Sequence, residues 1–256
     1  MKSIWKGSIS FGLVNIPVKL YSASVSHTLD FDMLRKGDLC KVHYTRVCLE
    51  DGKEIPYEDI VKGYKDENGD YIVLRDKDFE NANLAKTHTI DILHFINESE
   101  IDSVYFDKPY YLEPEKSGEK SYALLREAIK KSKKAAVGRF VLKSREHFGV
   151  LRVYNDIIIF DQLRYMDEIR DTKELNIPKA QKFSTKEVEL AIALINKISH
   201  KFDPKSYKDS YTSELKKIIS QKAKGRKVKP QGRLPKATSS KNLMTLLKAS
   251  MKKQAA

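Results

Sequence analysis

Cys40, His43 and Cys48 are the nearest approach this sequence makes to a metal-binding constellation. Thiolates and imidazoles do hold zinc, but the ion takes four ligands, commonly with cysteines paired two to four residues apart. Here the two cysteines stand wider than that and no second pair exists, so both are expected as structural residues and no metal is expected. The six histidines are scattered, and a lone histidine is more often packed or solvated than catalytic. The chain contains no glycine-rich dinucleotide or phosphate loop, no His-Glu-x-x-His pair and no Gly-x-Ser-x-Gly elbow. No spacing among the acids singles out an acid–base couple. The expectation is a protein without cofactor and without a catalytic centre.

The chemistry on offer is cationic. From Leu215 to Ala256 there are 13 Lys/Arg and no Asp or Glu, which leaves 35 basic and 35 acidic side chains in residues 1–214. A neutral body carries a basic tail, densest at Lys222, Lys224, Arg226, Lys227, Lys229 and Arg233. Such a run neutralises phosphates and releases counterions, so it binds nucleic acid without reading sequence. The tail has no aromatic residue, so stacking on bases is not its mode. In the body, Lys41, Arg46, Lys53, Arg139, Lys143 and Arg145 are candidate DNA contacts. Beyond the basic run, Leu243, Leu246, Leu247 and Met251 fall on one side of a short helix, expected to fold onto a partner.

The elements that must carry these residues can be read from periodicity. Trp5, Ile9 and Phe11 alternate with Lys6, Ser8 and Ser10; beyond Gly12 the phase flips to Val14, Ile16, Val18 and Leu20, which suggests a bulge or a sharp bend. Pro17 argues for an edge position or an irregularity. Lys41–Val47 is β-branched and aromatic, predicting a strand with Lys41, His43 and Thr45 on one face and Arg46 on the other. Asn68-Gly69 signals a hairpin. A short helix is expected over 76–83, strands near 89–93 and 110–112, and a helix over 119–134 with Lys130, Lys131, Lys133 and Lys134 in its last turn. A strand meander follows, 139–144, 148–154 and 157–163, punctuated by Gly149 and Asn155-Asp156. From Ser184, with Glu187 completing a capping box, the chain turns helical. Asp203-Pro204 restarts a helix lined by Tyr207, Tyr211, Leu215, Ile218 and Ile219, which Gly225 ends.

The fold class is therefore α+β and β-rich: a barrel core in 1–183, a helical arm in 184–224, a flexible basic linker in 225–240 and an amphipathic helix in 241–256. No apolar run is long enough for a transmembrane helix and the N-terminus lacks a signal core, so a cytoplasmic, nucleoid-associated location without membrane contact is expected.

Several segments resemble one family. Trp5 through Tyr21 (WKGSISFGLVNIPVKLY) is similar to the opening of bacterial Ku, the DNA end-binding protein of non-homologous end joining. The likeness continues through Tyr44-Thr45-Arg46-Val47-Cys48, Tyr110–Pro114, Tyr122–Ala128, Asp167–Arg170, Phe202-Asp203-Pro204, Tyr207–Tyr211 and Leu243–Ser250. The resemblance implies a β-barrel with extended bridging strands, two copies of which form a ring around duplex DNA. It implies threading onto double-stranded ends and recruitment of an ATP-dependent multifunctional DNA ligase through the C-terminal helix. Where many relatives have Cys-x-x-Cys-Gly, this chain has Cys48-Leu49-Glu50-Asp51-Gly52, which weakens the case for zinc further. Two other readings stand beside it: a compaction factor acting through the tail, and a lyase using Lys2 or Lys6 as a Schiff-base amine.

Overall fold

A computed structural model describes residues 1–81, 88–142, 145–178, 182–226 and 243–253. The chain forms two compact units, Met1–Asp171 and Thr172–Ala256.

The first unit is built on a closed barrel of seven strands. In chain order these are β1 (Trp5–Phe11), β2 (Val14–Ser22), β5 (Thr89–Asn97), β6 (Phe106–Pro114), β7 (Lys134–Leu142), β8 (Arg145–Tyr154) and β9 (Ile157–Leu163), arranged β1-β2-β6-β9-β8-β7-β5. All neighbours are antiparallel except the closing pair, where Ser8–Ser10 of β1 runs parallel to Thr89–Asp91 of β5. The alternation seen in the sequence is the inside–outside alternation of the barrel. Ile9, Ile16, Val18, Leu20, Ile90, Leu112, Phe140, Leu151, Ile158 and Phe160 fill the interior. Trp5 and Phe160 each meet Phe140 edge-on, with ring centroids 5.5 and 5.0 Å apart.

The phase flip at Gly12 is a hairpin, not a bulge. Phe11 pairs directly with Val14, and the two residues between them turn the chain with Gly12 at φ +59°. Pro17 is not on an edge either, since the barrel has none. It sits opposite Ser8, whose amide is already given to the His88 carbonyl, and the Pro17 carbonyl accepts from Glu115 N–H at 2.9 Å. The missing donor of Pro17 is therefore not demanded by β1. Irregularities lie elsewhere, in β5, where Leu93 is the extra residue between Ile92 and His94, and in β6, where the register shifts between Phe106 and Pro109. Gly149 interrupts nothing: it is inside β8, where an added Cβ would lie 2.3 Å from the Asp161 carbonyl and 2.7 Å from the Phe160 ring. Only a glycine lets the two strands come that close.

Helix α2 (Glu119–Ser132) presents Tyr122, Leu125 and Ile129 to the same core. The helix ends earlier than the sequence reading has it. Lys133 takes the left-handed conformation, φ +54°, and Lys134 already opens β7. Tyr122 is 5% exposed. Its hydroxyl donates to the Leu112 carbonyl and accepts from Ile158 N–H, both at 2.7 Å, and so ties β6 to β9.

Between β2 and β5 the chain leaves the barrel on a long excursion. It holds the hairpin β3 (Lys62–Lys65) and β4 (Tyr71–Leu74) and the short helix α1 (Asp76–Asn81). The hairpin is the one Asn68-Gly69 signalled, with a longer loop than two residues because Lys65 pairs with Tyr71. The strand expected over Lys41–Val47 is absent: only two isolated bridges occur there, Leu34 with Lys41 and Val47 with Glu54. The side-chain pattern of a strand is present, but among the described residues no neighbouring strand supplies the ladder.

The second unit holds α3 (Thr185–Ile198), α4 (Ser210–Ala223) and α5 (Leu243–Lys253). The Ser184–Glu187 capping box forms as read, with both reciprocal bonds in place. Asp203-Pro204 starts only a single turn, Pro204–Ser206; the helix proper begins at Ser210, capped by Asp209 accepting from Thr212 N–H at 2.9 Å. Gly225 closes α4 with φ +68°.

Candidate nucleic-acid interface

Several cations of the excursion are held locally. Lys41 pairs with Asp32 at 2.8 Å and Lys53 with Asp51 at 3.2 Å. Arg46 lies over the Tyr57 ring at 5.0 Å, and Lys62 and Lys65 lie over Phe79 and Tyr71. All of these ion pairs are solvated, so each is weak and a phosphate can displace the carboxylate at little cost. Around them the excursion exposes an unusual amount of apolar surface, including Phe31, Leu39, Val42, Tyr44, Tyr64, Tyr71, Ile72 and Val73.

Cys40 and Cys48 are free thiols. The residue in place of a second ligand, Asp51, caps the turn instead, accepting from Lys53 N–H at 3.1 Å. That backbone bond, then the Lys53 side chain, hold its carboxyl below the usual range. Among the described residues no cluster of three or more His, Cys, Asp or Glu is placed to hold a metal.

On the barrel, the arginines are largely committed to structure. Arg145 pairs with Glu168, which also accepts from Tyr165 N–H at 2.9 Å and so caps the turn Met166–Glu168. The Tyr165 amide first, and Arg145 second, hold the Glu168 carboxyl below the usual range. Arg152 covers Asp161, which is 5% exposed, and reaches Glu98 at 3.4 Å. Arg164 binds Asp107 at 2.6 Å and the Phe106 carbonyl. Arg139 lies half-buried on β7 with its Nε buried and without a hydrogen bond. Lys143 lies outside the described residues.

Two cationic groupings were not singled out from the sequence as nucleic-acid contacts, although Lys6 was named there as a Schiff-base candidate. Lys6 of β1 stands directly opposite Lys19 of β2, flanked on the same face by Ser8 and Ser10. Like charges facing across a ladder are destabilising, and Glu113, opposite Lys19 on β6, supplies one acid to offset them. The sequence holds the signal only once the register is known. Second, Lys130, Lys133, Lys134 and Arg152 surround a hollow of about 280 Å³ at the end of α2. Lys134 donates to Asn97 Oδ1 at 2.7 Å and Lys130 approaches Asp156 at 3.5 Å, so this cluster is partly satisfied from within. A larger groove of about 590 Å³ beside α2 carries Glu113, Glu119 and Asp156 against Arg126 alone, and is too acidic for phosphate.

In the second unit Lys222, Lys224 and Arg226 are exposed at the end of α4. Lys227, Lys229 and Arg233 lie outside the described residues. Leu243 opens α5, and Leu246, Leu247 and Met251 follow along it. This helix packs against α3 of its own unit, where Lys197 Nζ donates to the Met251 carbonyl at 2.7 Å. Leu246 remains exposed and Leu247 and Met251 half-buried, so the apolar side is only partly covered.

A family model described as the Ku70/Ku80 beta-barrel domain covers residues 10–190. The chain belongs to the Ku family. It is 39% identical to a Non-homologous end joining protein Ku of Opitutus terrae, over 96% of this chain and 88% of the relative. It is 37% identical to one of Coxiella burnetii, over 99% of this chain and 95% of the relative. A third, from Archaeoglobus fulgidus, is 35% identical over 98% of both chains. These alignments run beyond the Ku barrel into the helical unit. The Ku match thus covers the barrel, its excursion and the start of α3.

Proposed function

We propose that this protein binds double-stranded DNA ends as a ring-shaped homodimer in non-homologous end joining, and recruits and stimulates an ATP-dependent multifunctional DNA ligase through its C-terminal helix. It performs no covalent step itself. The observation that carries the reading is the excursion of the first unit. Among the described residues its backbone ladders pair only with one another, in one short hairpin and two bridges, while its apolar side chains face solvent. A two-stranded hairpin is at best marginal in water, and apolar surface on this scale marks a protein interface. A second copy of the same segment is the simplest cover, because a two-fold axis makes one self-complementary patch serve both chains. Two barrels, each sending out such an arm, leave a passage between them for a duplex. The solvated cations of the arm, Lys41, Arg46 and Lys53, with Arg139 and Arg145 of the barrel, and Lys143 of the sequence between them, are then the backbone contacts. Phosphate contacts position a protein on DNA without reading its sequence.

The test compares linear duplex with covalently closed circles of the same length at moderate salt. Threading requires binding to the linear form, loading that rises stepwise with length, and loss of loading when both ends are blocked. Equal affinity for circles and lines refutes it. The competing reading, compaction through the basic tail, is separated by a truncation after Gly225: end preference survives it in a ring and disappears in a compaction factor.

A further inference from the structure

The segment between α3 and α4 is not absorbed by that reading. Phe202, Tyr207 and Tyr211 are 72%, 64% and 72% exposed, large rings left in solvent within ten residues of one another. Phe202 and Tyr207 are stacked, with centroids 5.6 Å apart and planes 29° from parallel, so each turns its other face outward. The lysines between and beside them, Lys201, Lys205 and Lys208, are exposed and make no ion pair among the described residues. The two acids of the segment are spent on the backbone. Asp203 accepts from Lys205 N–H at 3.0 Å, and Asp209 from Thr212 N–H and the Thr212 hydroxyl. From His200 to Arg226 the chain carries eight Lys/Arg against three Asp/Glu, and the excess runs along α4 toward its end.

Exposed rings interleaved with unpaired lysines are the composition of a surface for single-stranded nucleic acid. Each base offers a π-face to a ring, and the lysines follow the phosphates. We infer that Phe202, Tyr207 and Tyr211, with Lys201, Lys205 and Lys208, form a stacking platform for the single-stranded extension of a broken DNA end. The inference rests on the end-binding reading and deepens it: the duplex is held by phosphate contacts that ignore sequence, and the unpaired bases beyond it are held here. The stack of Phe202 on Tyr207 is closed at 5.6 Å, so a base adds to an outer face of the pair and is not inserted between the rings. Charge decides against a second copy of this chain as the occupant, since an equally basic surface would meet this one.

The experiment uses the full chain and two duplexes of identical paired length, one blunt and one carrying a 3′ oligo-dT extension of about ten nucleotides, a length within the span of such sites. The variant Phe202→Leu/Tyr207→Leu keeps apolar bulk and removes the π-faces; Phe202→Tyr/Tyr207→Phe keeps both. The wild-type chain is expected to prefer the extended duplex roughly tenfold, the worth of about one stacked base. The leucine variant is expected to lose that preference while binding the blunt duplex unchanged, and the aromatic variant to retain it. An unchanged preference in the leucine variant overturns the platform and leaves end binding intact. A leucine variant with wild-type preference and an alanine variant that dissociates into monomers would assign the patch to a subunit interface and also overturn it. Failure of the wild-type chain to discriminate linear from circular duplex removes the end-binding reading, and the platform with it.

Discussion

Replacing Tyr122 by phenylalanine removes one oxygen atom and nothing else. That oxygen adds a side-chain tie at the end of the β6–β9 ladder, hydrogen-bonded at 2.7 Å to both the Leu112 carbonyl and the Ile158 amide. The ring keeps its place among Leu125, Ile129 and the barrel core, so no cavity forms. What is lost is the partner of a buried N–H, and one partner of a buried carbonyl. An orphaned buried polar group costs about 1–3 kcal/mol, and a carbonyl with a second lone pair sits at the low end, so about 3 kcal/mol in total is expected. For a unit of this size each kcal/mol moves the melting temperature about 2–4 °C, giving a fall of roughly 6–12 °C. Thermal melts followed by circular dichroism measure the shift, and hydrogen exchange at the Ile158 amide reports the site itself, where protection is expected to fall most. Tyr110→Phe is the control: it removes a longer bond, 3.3 Å to Gln162 Oε1, in a more open place, and is expected to cost under about 1 kcal/mol. If Tyr122→Phe melts within about 2 °C of wild type and the Ile158 amide stays protected, the hydroxyl is not what holds those strands and the reasoning is wrong.

Three further outcomes are expected. Arg152→Met leaves the Asp161 carboxylate buried without its cation, and a loss of about 3–5 kcal/mol should appear in urea unfolding; Asp161→Asn/Arg152→Met together should recover much of it. Truncation after Gly225 removes nine Lys/Arg, so the slope of log K against log salt for duplex binding should fall by at most about 8; an unchanged slope would mean the tail makes no phosphate contact. The Asp38 carboxyl, held at about 2 chiefly by the Arg35 guanidinium and then by the Cys40 amide, favours the folded turn above its ordinary value of 3.8 and loses that contribution as pH falls from there toward 2. A side-chain carbon titration by NMR should place its midpoint near 2, and Arg35→Gln should return it toward 3.8.

How far the sequence could be read depended on where each element finds its partners. The barrel strands were legible because their apolar alternation is set by a core made of this chain alone; Trp5, Ile9, Val18, Leu20 and Phe160 point inward as their spacing requires. The capping box at Ser184 and the stop at Gly225 were legible because their bonds close within a few residues. Lys41–Val47 was misread because periodicity reports a side chain's surroundings and not a ladder, and among the described residues no strand lies beside it. The turn at Gly12 was misread because a two-residue hairpin and a bulge produce the same phase flip. For the candidate interface, composition located the charge but not its neighbours. Arg145 and Lys41 proved to be paired with Glu168 and Asp32, far enough along the chain that no local pattern could announce them. Lys6 and Lys19 face each other only through the register of the first hairpin.

The excursion leaves the barrel from β2 and re-enters it at β5, and β5 then lies parallel to β1 as the closing seam. Each end is therefore sewn into the same cylinder. A protease that nicks the arm once separates the polypeptide into two pieces without separating the molecule, because β1 and β2 stay laced to β5 and β6 by backbone bonds on both sides. Such a nicked chain keeps its barrel and melts as one body, and what it forfeits is only the continuity of the arm. The point of this unit most open to cleavage without loss of its fold is then the covalent arm, and not the barrel to which the arm is stitched.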